Sequence, residues 1–213
     1  MIQFECQHCQ TSFTVPDDFA GRKGKCKACD QMLAVPIPDQ VVVPMPVDQT
    51  EDLLSMPMRT RRLIADQKSV ERAFVNTPLV RVVNMDGDPA ENYRIQYQVR
   101  SLRLNNKNET VSCALHEVQI KLGADYPRMA PQCRMLTPVF HPNIISESTI
   151  CIGDHWVAGE DLSLLIVRIG EIIGYQAYNI KSPLNAEAAM WADLNLKKLP
   201  TDSRDVAGVG SLV

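Results

Sequence analysis

The sequence predicts an α+β domain preceded by a small cysteine-rich module, on three observations. Four of the seven cysteines fall in two CxxC pairs near the start of the chain. Three alternating or β-branched runs, LVRVV (Leu79 to Val83), YRIQYQVRSLRL (Tyr93 to Leu104) and CALHEVQIKL (Cys113 to Leu122), follow one another across polar turns such as DGDP and NNKN. Helical patterns lie before and after them. Strands joined in series by turns and flanked by helices give a four-stranded antiparallel meander with helices segregated from it, once a short fourth strand near Cys133 to Leu136 is added.

In chain order, the first element is an internal repeat. FECQHCQTSFTVP (Phe4 to Pro16) and GKCKACDQMLAVP (Gly24 to Pro36) share a CxxC and then, at equal offsets, an apolar residue, Val and Pro. Each copy reads as a knuckle followed by a short strand, with Gly21 and Gly24 in the turn between them. Cys6, Cys9, Cys26 and Cys29 give C-x2-C-x16-C-x2-C, a spacing that lets four sulfurs converge on one tetrahedral ion. So short a fragment has little core, and metal binding coupled to folding supplies the stability it lacks. Residues 1–37 are therefore expected to be a zinc ribbon holding one structural zinc. A redox dithiol would need a single CxxC, usually at a helix start. His8 is read as a surface residue.

Residues 38–57 are proline-punctuated (VVVPMPVDQTEDLL) and are expected to form a semi-rigid linker. From residue 58 to about 75 the pattern is helical, with Leu63, Val70 and Phe74 on one face and Arg59, Arg61 and Arg62 near the start. After the strands comes an irregular stretch through Pro142 to Trp156. DLSLLIVRIGEIIG (Asp161 to Gly174) then reads as a largely buried helix, with Asp161 as N-cap and Gly174 as stop. Asn185 to Asn195 reads as another, capped by Asn185. Residues 58–198 make up the main domain, and 199–213 read as a flexible tail.

Composition narrows the function. Apolar residues make up 45% of the 213, charged residues 22%, and the formal net charge is −3, which argues against a nucleic-acid partner. No apolar run approaches the roughly 20 residues of a membrane span, and Met1 to Cys9 lack the pattern of a signal peptide. The cysteine pattern suits metal binding plus free thiols rather than a secreted disulfide framework. These features point to a soluble, cytoplasmic protein with no membrane partner.

The most specific stretch is YPRMAPQCRMLTPVFHPNIISESTICIGDHW, Tyr126 to Trp156. It contains YPxxxP (Tyr126, Pro127, Pro131), the tripeptide His141-Pro142-Asn143, a cysteine eight residues after that asparagine (Cys151), and a following tryptophan (Trp156). This pattern resembles the ubiquitin-conjugating enzyme family. SPLN (Ser182 to Asn185) and RRLIAD (Arg61 to Asp66) resemble the family's segments ahead of its later helix and in its first helix, so the resemblance spans roughly residues 58 to 196. The ribbon has no counterpart there; its repeat resembles a zinc ribbon of some bacterial proteins.

The resemblance implies a transferase. Cys151 would accept a ubiquitin-like protein from an activating enzyme as a thioester and pass it to a lysine of a protein acceptor, with room for a ligase. Asn143 matches the family's donor to the oxyanion, and His141 the residue that braces this loop. Ser182 and Asp154 lie where the family gates the incoming amine, although Ser182 replaces an acid. The first helix, with Arg59, Arg61 and Arg62, would contact the activating enzyme. His155, four residues beyond Cys151, reads as a loop residue, and Cys113 and Cys133 as packing residues. A silent adaptor and a zinc-ribbon nucleic-acid binder are the alternatives. Cys151 speaks against the first, the missing basic stripe against the second. No phosphate-binding glycine motif is present, so a partner must supply the activated tag.

Overall fold

The computed structural model describes residues 2–6, 8–16, 23–35, 55–153 and 156–208. The chain divides into two compact units, Met1–Leu53 and Leu54–Val213. The expected linker lies outside the described residues except for Ser55 to Pro57, as does the expected turn at Gly21.

In the first unit the sequence repeat is a structural repeat. Strand β1 (Ile2–Glu5) pairs antiparallel with β2 (Ser12–Val15), and β3 (Lys23–Lys25) with β4 (Met32–Ala34). Each copy is therefore a hairpin with its CxxC in the turn. Cys6 N–H donates to Thr11 O and Gln10 N–H to Cys6 O; in the second copy Cys26 donates to Gln31 and Asp30 to Cys26. Gln10 and Asp30, each four residues after the first cysteine of its pair, both take a left-handed conformation, with φ of 59° and 61°. That turns the backbone sharply enough to aim both sulfurs of a pair the same way. Phe4 stacks on Phe13 across the first hairpin at 5.7 Å.

The second unit begins with α1 (Met58–Ala73), which buries Leu63 and Val70 and packs against the sheet and a later helix. A four-stranded antiparallel sheet follows, in the spatial order β10-β9-β6-β5. Its strands are β5 (Val80–Gly87), β6 (Ala90–Tyr97), β9 (His116–Lys121) and β10 (Gln132–Met135). Two-residue alternation sorts the faces: Tyr93, Ile95 and Tyr97 of β6 lie opposite Ile120, Val118 and His116 of β9, all buried. Helix α2 (Leu162–Ile173) lays Leu165, Ile166, Ile169 and Ile173 into this core, and Tyr97 Oη donates to Ile166 O at 2.9 Å. Asp161 caps α2 by accepting from Ser163 N–H at 2.8 Å, and Gly174 ends it. Helix α3 (Ala186–Leu194) is capped by Asn185, whose Oδ1 accepts from Ala188 N–H at 3.0 Å.

Two strand expectations need correction. The run Tyr93 to Leu104 is not one strand: it breaks after Tyr97 and resumes as β7 (Ser101–Leu104). The run Cys113 to Leu122 likewise divides, because β8 (Thr110–Cys113) pairs with β7 as a separate hairpin. The ladder to β5 runs one residue further, Gln98 N–H donating to Leu79 O at 2.8 Å, and beyond it Arg100 N–H turns instead to the carboxylate of Asp202, also at 2.8 Å.

That second bond also corrects the expected flexible tail. Residues 199–208 are docked on the unit; only 209–213 lie outside the described residues. The Asp202 side chain is 1% exposed and is clasped by Arg204, while Asp202 N–H and the Thr201 hydroxyl both donate to Gly174 O. Val206, also buried, lies over Gly170 of α2, where an added Cβ would stand 2.5 Å from a Val206 methyl.

Candidate functional site

The HPN stretch is fixed by its own backbone before any side chain acts. Ile144 bridges to both His141 and Ile150, so the chain folds back on itself, and Cys151 N–H donates to Asn143 O at 2.9 Å. Cys151 is thereby held beside Asn143 with a partly exposed side chain. Pro142 O accepts from Leu184 N–H and Asn185 N–H at 2.8 and 3.0 Å, which docks the SPLN segment and the start of α3 on the same loop.

His141 is fully buried, with its ring centroid 4.3 Å from that of Tyr175. Its Nδ1 accepts the Asn143 backbone N–H at 3.0 Å, which puts the ring proton on Nε2. Burial pushes the imidazole down to about 3, against a weaker opposing pull from the Ile172 backbone. A ring that stays neutral near pH 7 and has one nitrogen committed is suited to bracing, not to proton transfer. Tyr175 adds a second brace, its hydroxyl donating to Phe140 O at 2.6 Å. It does so from a left-handed backbone, φ 57°.

Asn143, Cys151, Arg168, Tyr178, Asn179 and Ser182 line one cleft of about 300 Å³, with Ile152, Gly153, Ile172 and Ala177. The structure thus brings together Cys151, Asn143 and Ser182, with His141 directly behind them. Asp154 and His155 lie outside the described residues. The other thiols stand apart chemically. Cys133 is buried, which pushes it up to about 12, and burial also raises Cys113. Trp156 packs on Tyr126 and donates through Nε1 to Pro127 O at 2.8 Å.

Two of the three arginines expected to face a partner are engaged internally. Arg59 pairs with Glu91 at 2.9 Å and donates to Gly123 O at 3.0 Å. Arg62 donates to Ala158 O, Glu160 O and Asp66, and Asp66, 3% exposed, also accepts from Tyr126 Oη at 2.5 Å and from Leu162 N–H. A buried carboxylate needs such partners, so this cluster ties α1, the YPxxxP segment and α2 together. Only Arg61 is left without a hydrogen-bond partner among the described residues.

Sequence reasoning missed Arg168, the sole base in the apolar α2 run, which was the available signal. It also missed Asn179, which meets Asn143 through its backbone N–H and carbonyl, so no residue type could have disclosed that contact.

In the first unit the sulfurs of Cys6, Cys9, Cys26 and Cys29 all lie within 4.8 Å of one another. Cys6 Sγ is 3.8 Å from Cys29 Sγ, and Cys9 Sγ 3.6 Å from Cys26 Sγ. Tetrahedral thiolates at about 2.3 Å from one ion stand about 3.8 Å apart, so the residues fit a metal ion. Cys9 Sγ also lies 3.3 Å from the Thr11 hydroxyl.

Residues 105–202 match the family model described as ubiquitin-conjugating enzyme. A SUMO-conjugating enzyme from Caenorhabditis elegans is 27% identical over 79 residues, 35% of this chain and 46% of that protein. The chain thus spans just under half the length of that curated relative. A putative ubiquitin conjugating enzyme from Trypanosoma cruzi superposes with a TM-score of 0.48 at 20% identity, covering 66% of this chain and 94% of that one.

Proposed function

We propose that the second unit is an active conjugating enzyme, carrying a ubiquitin-like protein on Cys151. The observation that supports this most is the placing of a partly exposed Cys151 in a cleft with Asn143, its backbone bonded to the Asn143 carbonyl. In the first step the Cys151 thiolate attacks the thioester carbonyl presented by an activating enzyme, and that enzyme's cysteine leaves as thiolate. In the second a lysine amine of a protein acceptor attacks. The tetrahedral oxyanion forms near Asn143 Nδ2, then collapses with Cys151 leaving as thiolate and a proton passing from the new amide nitrogen to solvent.

His141 braces the loop, and Ser182 and Asp154 gate the acceptor. Of the three arginines, Arg61 is the one free to meet the activating enzyme. A ligase can assist the transfer. The four-cysteine group holds one structural zinc, and the protein works in the cytoplasm, where a reducing environment keeps Cys151 free. The test is loading with an activating enzyme and its tag. Wild type should form an adduct that thiol reductant removes, and Cys151→Ser a reductant-resistant oxyester that hydroxide cleaves. A reducible adduct on Cys151→Ala would refute the assignment.

A further inference from the structure

We propose that Arg168 is a specificity-determining residue of the Cys151 cleft: its guanidinium receives a carboxylate on the peptide entering the cleft, close to the reacting group. This rests on the reading of Cys151 as the thioester residue. Arg168 projects from α2 into the cleft with its side chain 31% exposed. One nitrogen, Nη2, is paired with Glu160, whose side chain is only 7% exposed. Nε and Nη1 have no hydrogen-bond partner among the described residues. The ion pair therefore fixes the plane of the guanidinium and leaves donors of its fork available.

Charge then decides what those donors accept. Among the described residues lining the cleft, Arg168 is the only charged one; the polar remainder is Asn143, Cys151, Tyr178, Asn179 and Ser182. The one carboxylate at Arg168, that of Glu160, is already held in the ion pair, so the pair presents an incoming lysine ammonium with the free donors of the guanidinium rather than with an acceptor. A peptide with a glutamate or aspartate beside the reacting group instead meets a planar donor fork that matches it. The carboxylate can come from the tail of the ubiquitin-like protein or from a residue flanking the acceptor lysine.

The experiment uses the full chain and two probe pairs. Loading is followed by intact mass with synthetic peptide thioesters ending in Glu-Gly-Gly or Gln-Gly-Gly. Discharge of the preloaded Cys151 adduct is followed with lysine peptides bearing Glu or Gln beside the lysine. At low salt we expect a Glu-over-Gln rate ratio of about fivefold in one arm, as for a part-exposed ion pair. A ratio in loading assigns the carboxylate to the tail, one in discharge to the acceptor. It should shrink at high salt, vanish in Arg168→Gln, and grow in Glu160→Gln, which frees Nη2. If Arg168→Gln fails to fold, Glu160→Gln/Arg168→Gln removes both halves of the pair without stranding a buried carboxylate. Ratios near one in both wild-type arms, or an unchanged ratio in the Arg168 variants, would overturn the proposal. No adduct on wild-type Cys151 would overturn the thioester reading itself, and this inference with it.

Discussion

The side-chain amide of Asn143 is paired reciprocally with the backbone of Asn179: Oδ1 accepts its N–H at 2.7 Å, and Nδ2 donates to its carbonyl at 2.8 Å. One N–H of Nδ2 remains over. Bracing the cleft and stabilising an oxyanion therefore draw on different atoms of one amide, and a variant here disturbs both.

Asn143→Ala should lower stability by about 1–3 kcal/mol, because it leaves two backbone groups of Asn179 without partners. Well below its melting temperature, single-turnover discharge onto lysine should still be at least about tenfold slower than wild type, a modest bound for one lost oxyanion donor. Melting curves separate the two effects. A discharge rate equal to wild type would leave Asn143 with the bracing role alone.

Thiol reactivity should follow burial. Brief iodoacetamide treatment of the zinc-loaded protein should alkylate Cys151 well before Cys133, whose thiol lies up at about 12, and before the raised Cys113. Peptide mass mapping gives the order. Early labelling of Cys133 would contradict the buried position found for it.

Metal removal should act on one unit only. Chelation, or Cys26→Ser, should release one zinc per chain and abolish the structure of residues 1–37. The melting transition of the second unit should stay, since the chain divides between the two units near residue 53. A folded ribbon in a metal-free preparation would contradict the assignment of the four sulfurs.

Asp202 makes stability depend on pH in one direction. Hydrogen bonds from the Arg204 side chain, ahead of the Arg100 N–H, hold its carboxyl well below the usual carboxylate range against the cost of burial. Its contribution is thus complete above the unfolded value of about 3.9 and is lost as pH falls toward the lower folded value. Asp202→Asn should cost about 1–3 kcal/mol at pH 7. Denaturant unfolding at a series of pH values should show that gap closing below about pH 4.

Gly170→Ala tests the contact beneath Val206. Alanine gains about 1 kcal/mol in helix propensity. Its Cβ would nevertheless meet a Val206 methyl at 2.5 Å and the Tyr97 ring at 3.2 Å. Overpacking of about 1–3 kcal/mol should prevail. Val206→Ala added to Gly170→Ala should recover part of the loss, measured as a double-mutant cycle.

Local signals in the sequence were enough for the ribbon, the caps at Asp161 and Asn185, and the alternation that builds the sheet. The family resemblance carried by the HPN-to-cysteine spacing pointed to Cys151 and Asn143, which the fold places in one cleft. What escaped was held from far along the chain. Past Tyr97 and Gln98 the chain leaves the ladder, and the Arg100 amide goes to Asp202, a partner about a hundred residues on. The tail reads as polar and glycine-bearing, yet one aspartate and one valine anchor it. Arg59 and Arg62 read as a surface cluster, and only the fold brings Glu91, Gly123, Ala158 and Glu160 within their reach.

The docking of Asp202 and Val206 has a bearing on how the protein is born. Every other described element of the second unit precedes them in the chain, so synthesis delivers them last. Until residue 206 has cleared the ribosome, the Tyr97 ring and the Gly170 face of α2 lack their cover, and the carbonyl of Gly174 lacks its donors. Closure of this domain therefore waits on residues 202 to 206, and the elements made before them stay open on that side until these arrive.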